Sequence, residues 1–171
     1  MGNQADAGTS RPRGPGGGAA VPRRSIVSVT VDANVLLYAT DEQNPRHEPA
    51  RRVVERLAAG PGIVYLFWPV AMAYLRIATH PRIFEEPLEP ETARANLGAF
   101  LDRPHVRSPG EATGFWAVYR DTVGQDVIRG NLVPDSHIAA LMRQHGVSTI
   151  WTSDRDFRRF PDITARDPNE A

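Results

Sequence analysis

Four aspartates give this sequence its most legible chemistry: Asp32, Asp135, Asp154 and Asp156. Asp32 closes the apolar run IVSVTV, where a carboxylate follows residues that should be buried. Asp154 ends VSTIWTS, Asp156 stands two residues on, and Asp135 belongs to NLVPDSHIAAL. Each of the last three has an ordinary alternative. Asp135 after Pro134 can complement a helix N-terminus, worth about 0.3–1 kcal/mol. Asp154 can cap a helix and Asp156 can answer the same dipole. Gathered in one cleft, however, the carboxylates would repel one another and raise each other's pKa. A hard divalent ion removes that cost and prefers oxygen ligands, octahedral for Mg²⁺ or Mn²⁺. The four acids therefore point to a metal site. A metal ion of this kind polarises a substrate oxygen and activates a bound water for attack.

The elements that must position these acids follow from the hydrophobic pattern. Ile26, Val27, Val29 and Val31 predict a buried parallel strand, followed by a helix from Ala33 to Ala39 and a turn from Asp41 to Pro45. HEPARRVVERLAAG is amphipathic, with Ala50, Val53, Val54 and Leu57 on one face and Gly60 as its stop. GIVYLF (62–67) predicts a second buried strand; Pro69 suits the first turn of the helix VAMAYLRIAT, which ends at the HPRIF turn. Helices are expected near 90–102 and 110–123, then one starting at Pro134 or Asp135 and stopping at Gly146. VSTIWTS predicts a strand, DRDFRRF a short helix and DITA a final strand. The alternation argues an α/β fold with a central parallel sheet, in which ligands bind beyond the carboxyl ends of the strands. Asp32 and Asp154 both fall at that edge.

Composition bounds the alternatives. The 171 residues and 41% hydrophobic content suit one domain with a sizeable core. Without cysteine there is no disulfide, zinc–thiolate site or thiol nucleophile, which fits a reducing compartment. All 20 basic residues are arginine, which excludes a P-loop and Schiff-base chemistry, both of which need lysine. The formal charge is zero, but residues 1–25 carry four arginines against Asp6, leaving the remainder at −3. That tail, rich in Gly, Pro and Arg, is expected to be disordered, with the folded domain spanning 26–168. Its composition is not that of a signal peptide, and Asp32 and Asn34 interrupt the apolar stretch after Arg23-Arg24, arguing against a twin-arginine signal. With no run of roughly 20 apolar residues, a cytoplasmic protein is expected.

Four segments then carry a resemblance: VTVDANVLLYA, WPVAMAYLRIATHPRIF, NLVPDSHIAAL and TIWTSDRDFRRFP. Together, in this order, they resemble the motifs of PIN domains, most closely the VapC-type toxins of bacterial toxin–antitoxin modules. The resemblance implies a PIN-like three-layer α/β/α fold, with a central parallel sheet of four to five strands. It implies a Mg²⁺- or Mn²⁺-dependent endoribonuclease that forms a homodimer and is bound by a small VapB-like antitoxin. Asp32, Asp135 and Asp154 would be metal ligands, Asp156 a direct or water-mediated one, and Asn34 and Thr152 would orient the carboxylates. Such domains usually carry a glutamate on the helix after the second strand. The matching position here is Tyr74, and residues 61–84 hold no acid at all. Asp41 and Glu42 are the acids available to compensate, and the loss could leave one metal rather than two.

Arg76, Arg82, Arg155, Arg158 and Arg159 flank the expected site and could hold phosphates, or simply form solvated faces. Trp68, Trp116, Trp151 and Phe157 could stack bases, although aromatics at such positions are more often core. No spacing pairs the five histidines for the rival ribonuclease chemistry through the 2′-hydroxyl. A receiver domain would need a lysine, and a haloacid-dehalogenase-type phosphatase a second acid where Asn34 stands. The remaining alternative is a PIN scaffold that binds a partner without cleaving, and Tyr74 is its main support.

Overall fold

The computed structural model describes residues 28–83 and 86–171. The expected tail (1–25) and the first two residues of the expected first strand lie outside the described residues. Five parallel strands form one sheet in the order β3-β2-β1-β4-β5, comprising β1 (Val29–Val31), β2 (Val64–Tyr65), β3 (Val106–Arg107), β4 (Thr149–Trp151) and β5 (Thr164–Arg166). β3 is an addition to the elements read from the sequence. It is two residues long, lacks an apolar run, and exists through its pairing with β2, where Val64 faces Val106.

Six α-helices connect and cover the sheet: α1 (Ala33–Thr40), α2 (His47–Ala59), α3 (Trp68–Ala78), α4 (Pro90–Leu101), α5 (Phe115–Val123) and α6 (Leu132–Gln144). Among the described residues no helix is long and apolar enough to cross a membrane. α2 forms because Ala50, Val53 and Leu57 recur on one face and are buried there. Its outer face is laced by Arg51 between Glu48 and Glu55. Arg56 of α2 lies over the ring of Trp151 at 5.0 Å, so this helix covers the β4 side of the sheet.

α6 is the most enclosed helix, with Ile138 through Met142 all buried. It begins at Leu132, two to three residues before the expected start. Pro134 therefore occupies the first turn, where its missing N–H costs no hydrogen bond. The helix stops as expected at Gly146, whose φ of +67° admits a left-handed turn. Val147 N donates to Met142 O at 2.8 Å and Gly146 N to Arg143 O at 3.3 Å, the double hydrogen bond of a Schellman ending.

The strand order places a topological switch between β1 and β4, whose outer neighbours β2 and β5 run off in opposite directions. Crevices form at such points beyond the strand carboxyl ends. The residues leaving those two ends are Asp32 and Thr152, and Asp32 N bonds Trp151 O across the switch at 2.9 Å.

Candidate metal centre

Asp32 caps α1 in extended conformation (φ −86°, ψ 155°), accepting from Ala33 N at 2.6 Å through one oxygen. Its other oxygen accepts from Thr152 Oγ1 at 2.8 Å and from the amide of Asn34. The Thr152 hydroxyl, having donated to Asp32, accepts from Asp154 N at 2.9 Å and Asn34 Nδ2 at 3.3 Å, using its whole hydrogen-bonding capacity. Asn34 Oδ1 in turn accepts from Ser153 N at 3.3 Å. Asn34 and Thr152 thus bind the β1 end to the β4 end. The part played by Ser153 is a main-chain contact that no residue type could have announced.

Beyond β4, Asp154 caps a 3₁₀ turn (Arg155–Arg159) by accepting from Asp156 N at 2.8 Å. Asp135 arrives from the first turn of α6. One carboxylate oxygen each from Asp135, Asp154 and Asp156 lies within 4.8 Å of the others. Opposite ligands of a Mg²⁺ ion stand about 4.2 Å apart, given bonds of ~2.1 Å, so these three acids lie within a small side-chain adjustment of holding a hard divalent cation. Asp32 lies alongside that triangle, its oxygens engaged by Ala33, Asn34 and Thr152.

The electrostatics separate this site from three independent helix caps. A carboxylate serving a helix N-terminus should have its pKa lowered. That of Asp135 is raised from 3.8 to about 7, first by burial and then by the charges of Asp154, Asp32 and Asp156, with Arg159 opposing. Burial also raises Asp32, aided by Asp154 and countered by its bonds from Thr152 and Ala33. All four acids therefore share one field, and a bound cation would relieve the repulsion.

Tyr74 belongs to a different region. It is buried, and its hydroxyl meets Thr40 Oγ1 at 3.3 Å and Asn96 Nδ2 at 3.5 Å beside a cavity of about 350 Å³. Asp41 and Glu42 do not compensate for the glutamate. They follow the far end of α1, eight or more residues from Asp32, and line a separate groove with Glu86. Of the aromatics, Phe157 and Trp151 are core, Trp151 being flanked by Arg56 and Arg166, whereas Trp68 and Trp116 are exposed. The histidines do not pair with one another: His137 meets Glu111, and His47, His105 and His145 meet main-chain carbonyls.

Comparison with known proteins gives this geometry its family. The PIN domain model matches residues 29–163. Ribonuclease VapC48 of Mycobacterium tuberculosis is 55% identical over 142 residues, covering 83% of this chain and 98% of the relative. Ribonuclease VapC43 of the same species is 32% identical over 140 residues, covering 81% and 93%. Among solved structures, VapBC2 from Rickettsia felis bound to a promoter DNA fragment matches with a TM-score of 0.57 at 18% identity, over 82% of this chain and 98% of that one. VapC20 of M. tuberculosis, described as a sarcin-ricin loop cleaving toxin, matches with a TM-score of 0.54 at 20% identity, over 77% and 93%. The chain belongs to the PIN-domain family and, within it, to the VapC ribonucleases.

Proposed function

We propose that this protein is a divalent-metal-dependent endoribonuclease, the toxin half of a VapBC-like toxin–antitoxin pair, acting in the cytoplasm on RNA phosphodiester bonds. The observation that carries the reading is the convergence of carboxylate oxygens from Asp135, Asp154 and Asp156 within 4.8 Å at the β1/β4 switch, where burial first and the neighbouring acids second raise Asp135 to about 7. Asp135, Asp154 and Asp156 would hold Mg²⁺ or Mn²⁺, with Asp32 completing the acidic shell. When bound, the ion supplies Lewis-acid polarisation of the phosphoryl oxygen and a lowered pKa for its water. The protein's own contribution is positional. Thr152 and Asn34 fix the Asp32 carboxylate, and the 3₁₀ turn presents Asp154 and Asp156 towards α6. The folded domain is taken to span 26–168, with 1–25 as an appended tail.

The proposed partners rest on two supports. Neighbouring structures are VapBC2 and FitAB, each bound to a DNA fragment, which favours a small VapB-like antitoxin here. A second copy of this chain is favoured by an apolar face. Trp68, Met72, Val133 and Trp116 are 44%, 49%, 44% and 68% exposed, and the grooves between α3, α5 and α6 meet at Val133 and His137.

The deciding experiment is cleavage of total RNA with Mg²⁺ or Mn²⁺ by wild type and Asp32→Ala, with sequencing of the new 5′ ends. Discrete cuts bearing 5′-phosphates, dependent on metal and lost in the variant, are expected. If the two proteins behave alike and neither binds Mn²⁺, the nuclease reading falls and a partner-binding scaffold takes its place.

A further inference from the structure

We propose that Arg159 is the side chain that holds the scissile phosphate of the RNA against the aspartate cluster, an assignment that rests on the nuclease reading above. In a 3₁₀ turn, residues three apart eclipse one another. Three files result. Phe157 and Phe160, 0% and 3% exposed, form the file that enters the core. Arg155 and Arg158 form a second, exposed file. Asp156 and Arg159 form the third, and its direction is fixed because the Asp156 carboxylate approaches Asp135 and Asp154 to within 4.8 Å. Arg159 thus projects along the side of the turn that faces the acids. Arg159 is among the charges acting on the Asp135 carboxylate, which places the guanidinium within Coulombic reach of the cluster.

Proximity has not locked Arg159 into an ion pair. Among the described residues it has no carboxylate within 4.0 Å, whereas Arg51, Arg94 and Arg143 are each paired. Arg56 and Arg166 lie on Trp151, and Arg107 bonds the carbonyls of Pro104 and Val106. A polyanion approaching four aspartates is repelled unless cations offset them, and a guanidinium at the rim can grip phosphate oxygens in a fork without displacing the metal. Arg155, one file away, and Arg76, in the groove with Met72 and Val133, lack this placement.

The test uses the full-length protein with Mn²⁺ and a single-stranded RNA oligonucleotide spanning a site that the wild type cuts. Arg159→Ala should lower kcat/KM by roughly 100-fold or more, as losing a charged phosphate donor does. It should flatten the slope of log(kcat/KM) against log[salt] by about 0.7, one phosphate contact on a single strand. Its Mn²⁺ affinity should hold or tighten, because a positive charge has left an acidic site. Arg159→Lys should recover part of the rate, and Arg94→Ala, on the outer face of α4 beside Glu91, should stay within about threefold of wild type. A purely structural role would weaken metal binding and cleavage together, and that result overturns the assignment. So does Arg159→Ala cleaving like a competent wild type. A wild type that cuts no RNA overturns the nuclease reading and this assignment with it.

Discussion

At the scale of single residues, the site is governed by how each carboxylate is solvated. Asp135 has its pKa raised from 3.8 to about 7, so the folded, metal-free protein holds a proton that the unfolded chain gives up. Stability from this group is complete below about pH 4 and is lost as pH rises through about 7. Asp135→Asn should remove that fall and stabilise the metal-free protein at pH 8 by roughly 1–2 kcal/mol, a figure discounted because the carboxylate is only half buried. Urea denaturation in a chelator at pH 5 and pH 8 measures this, and equal pH slopes in both proteins would refute it. Thr152→Ala removes a donor from a buried carboxylate that must then bear its charge with less help. The expected losses are about 1–3 kcal/mol of stability and roughly 10- to 100-fold in metal affinity or cleavage. Titration of Mn²⁺ alongside a melting curve separates the two effects. An unchanged Mn²⁺ affinity would show that Thr152 does not orient the cluster.

Elements decide where these residues can meet. α6 delivers Asp135 because its far end is pinned by the Schellman turn at Gly146 and its middle is wholly enclosed. Gly146→Ala forces a side chain into φ +67° and should cost about 1 kcal/mol, seen as a lower urea midpoint with an unchanged slope. Leu141→Ala empties a fully buried position and should cost roughly 2–5 kcal/mol in the same measurement. α3 illustrates the opposite case. Tyr74, the residue matched in the sequence reading to an expected acid, is directed by its helix towards Thr40 and Asn96. Tyr74→Phe should therefore cost only about 0.5–1.5 kcal/mol and leave Mn²⁺ affinity unchanged in calorimetry. A large loss of metal binding would put Tyr74 back in the centre.

At the scale of the whole molecule, the sheet order makes the centre and the exposed faces make its partnerships. The apolar face across α3, α5 and α6 predicts association between copies, because contiguous exposed patches of this kind mark interaction sites. Sedimentation of wild type should show a dimer, and Met72→Asp with Trp116→Asp should shift it to monomer without lowering its melting temperature. A wild type that sediments as a monomer at tens of micromolar, on the order of a weak contact, would remove the second copy from the proposal.

How much of this was legible beforehand varied with the length of the physical signal. The long helices α2 and α6, the apolar strands β1, β2 and β4, and the acids at strand ends could all be read from periodicity and from carboxylates abutting buried runs. β3 could not, because two residues carry no period and its pairing partner lies some forty positions earlier. The start of α6 was misplaced because a first-turn proline can mark either the opening of a helix or its third residue. The sequence by itself marked which acids were candidates to bind a cation, and through its motif order determined the family. Only the tertiary structure decided that Asp135, Asp154 and Asp156 converge while Asp41, Glu42 and Tyr74 stand apart. The proposal for Arg159 likewise rests on how the 3₁₀ turn is set against the cluster. The reason is that a carboxylate's pKa and a guanidinium's freedom depend on distances between elements far apart in the chain, and those distances are set by packing.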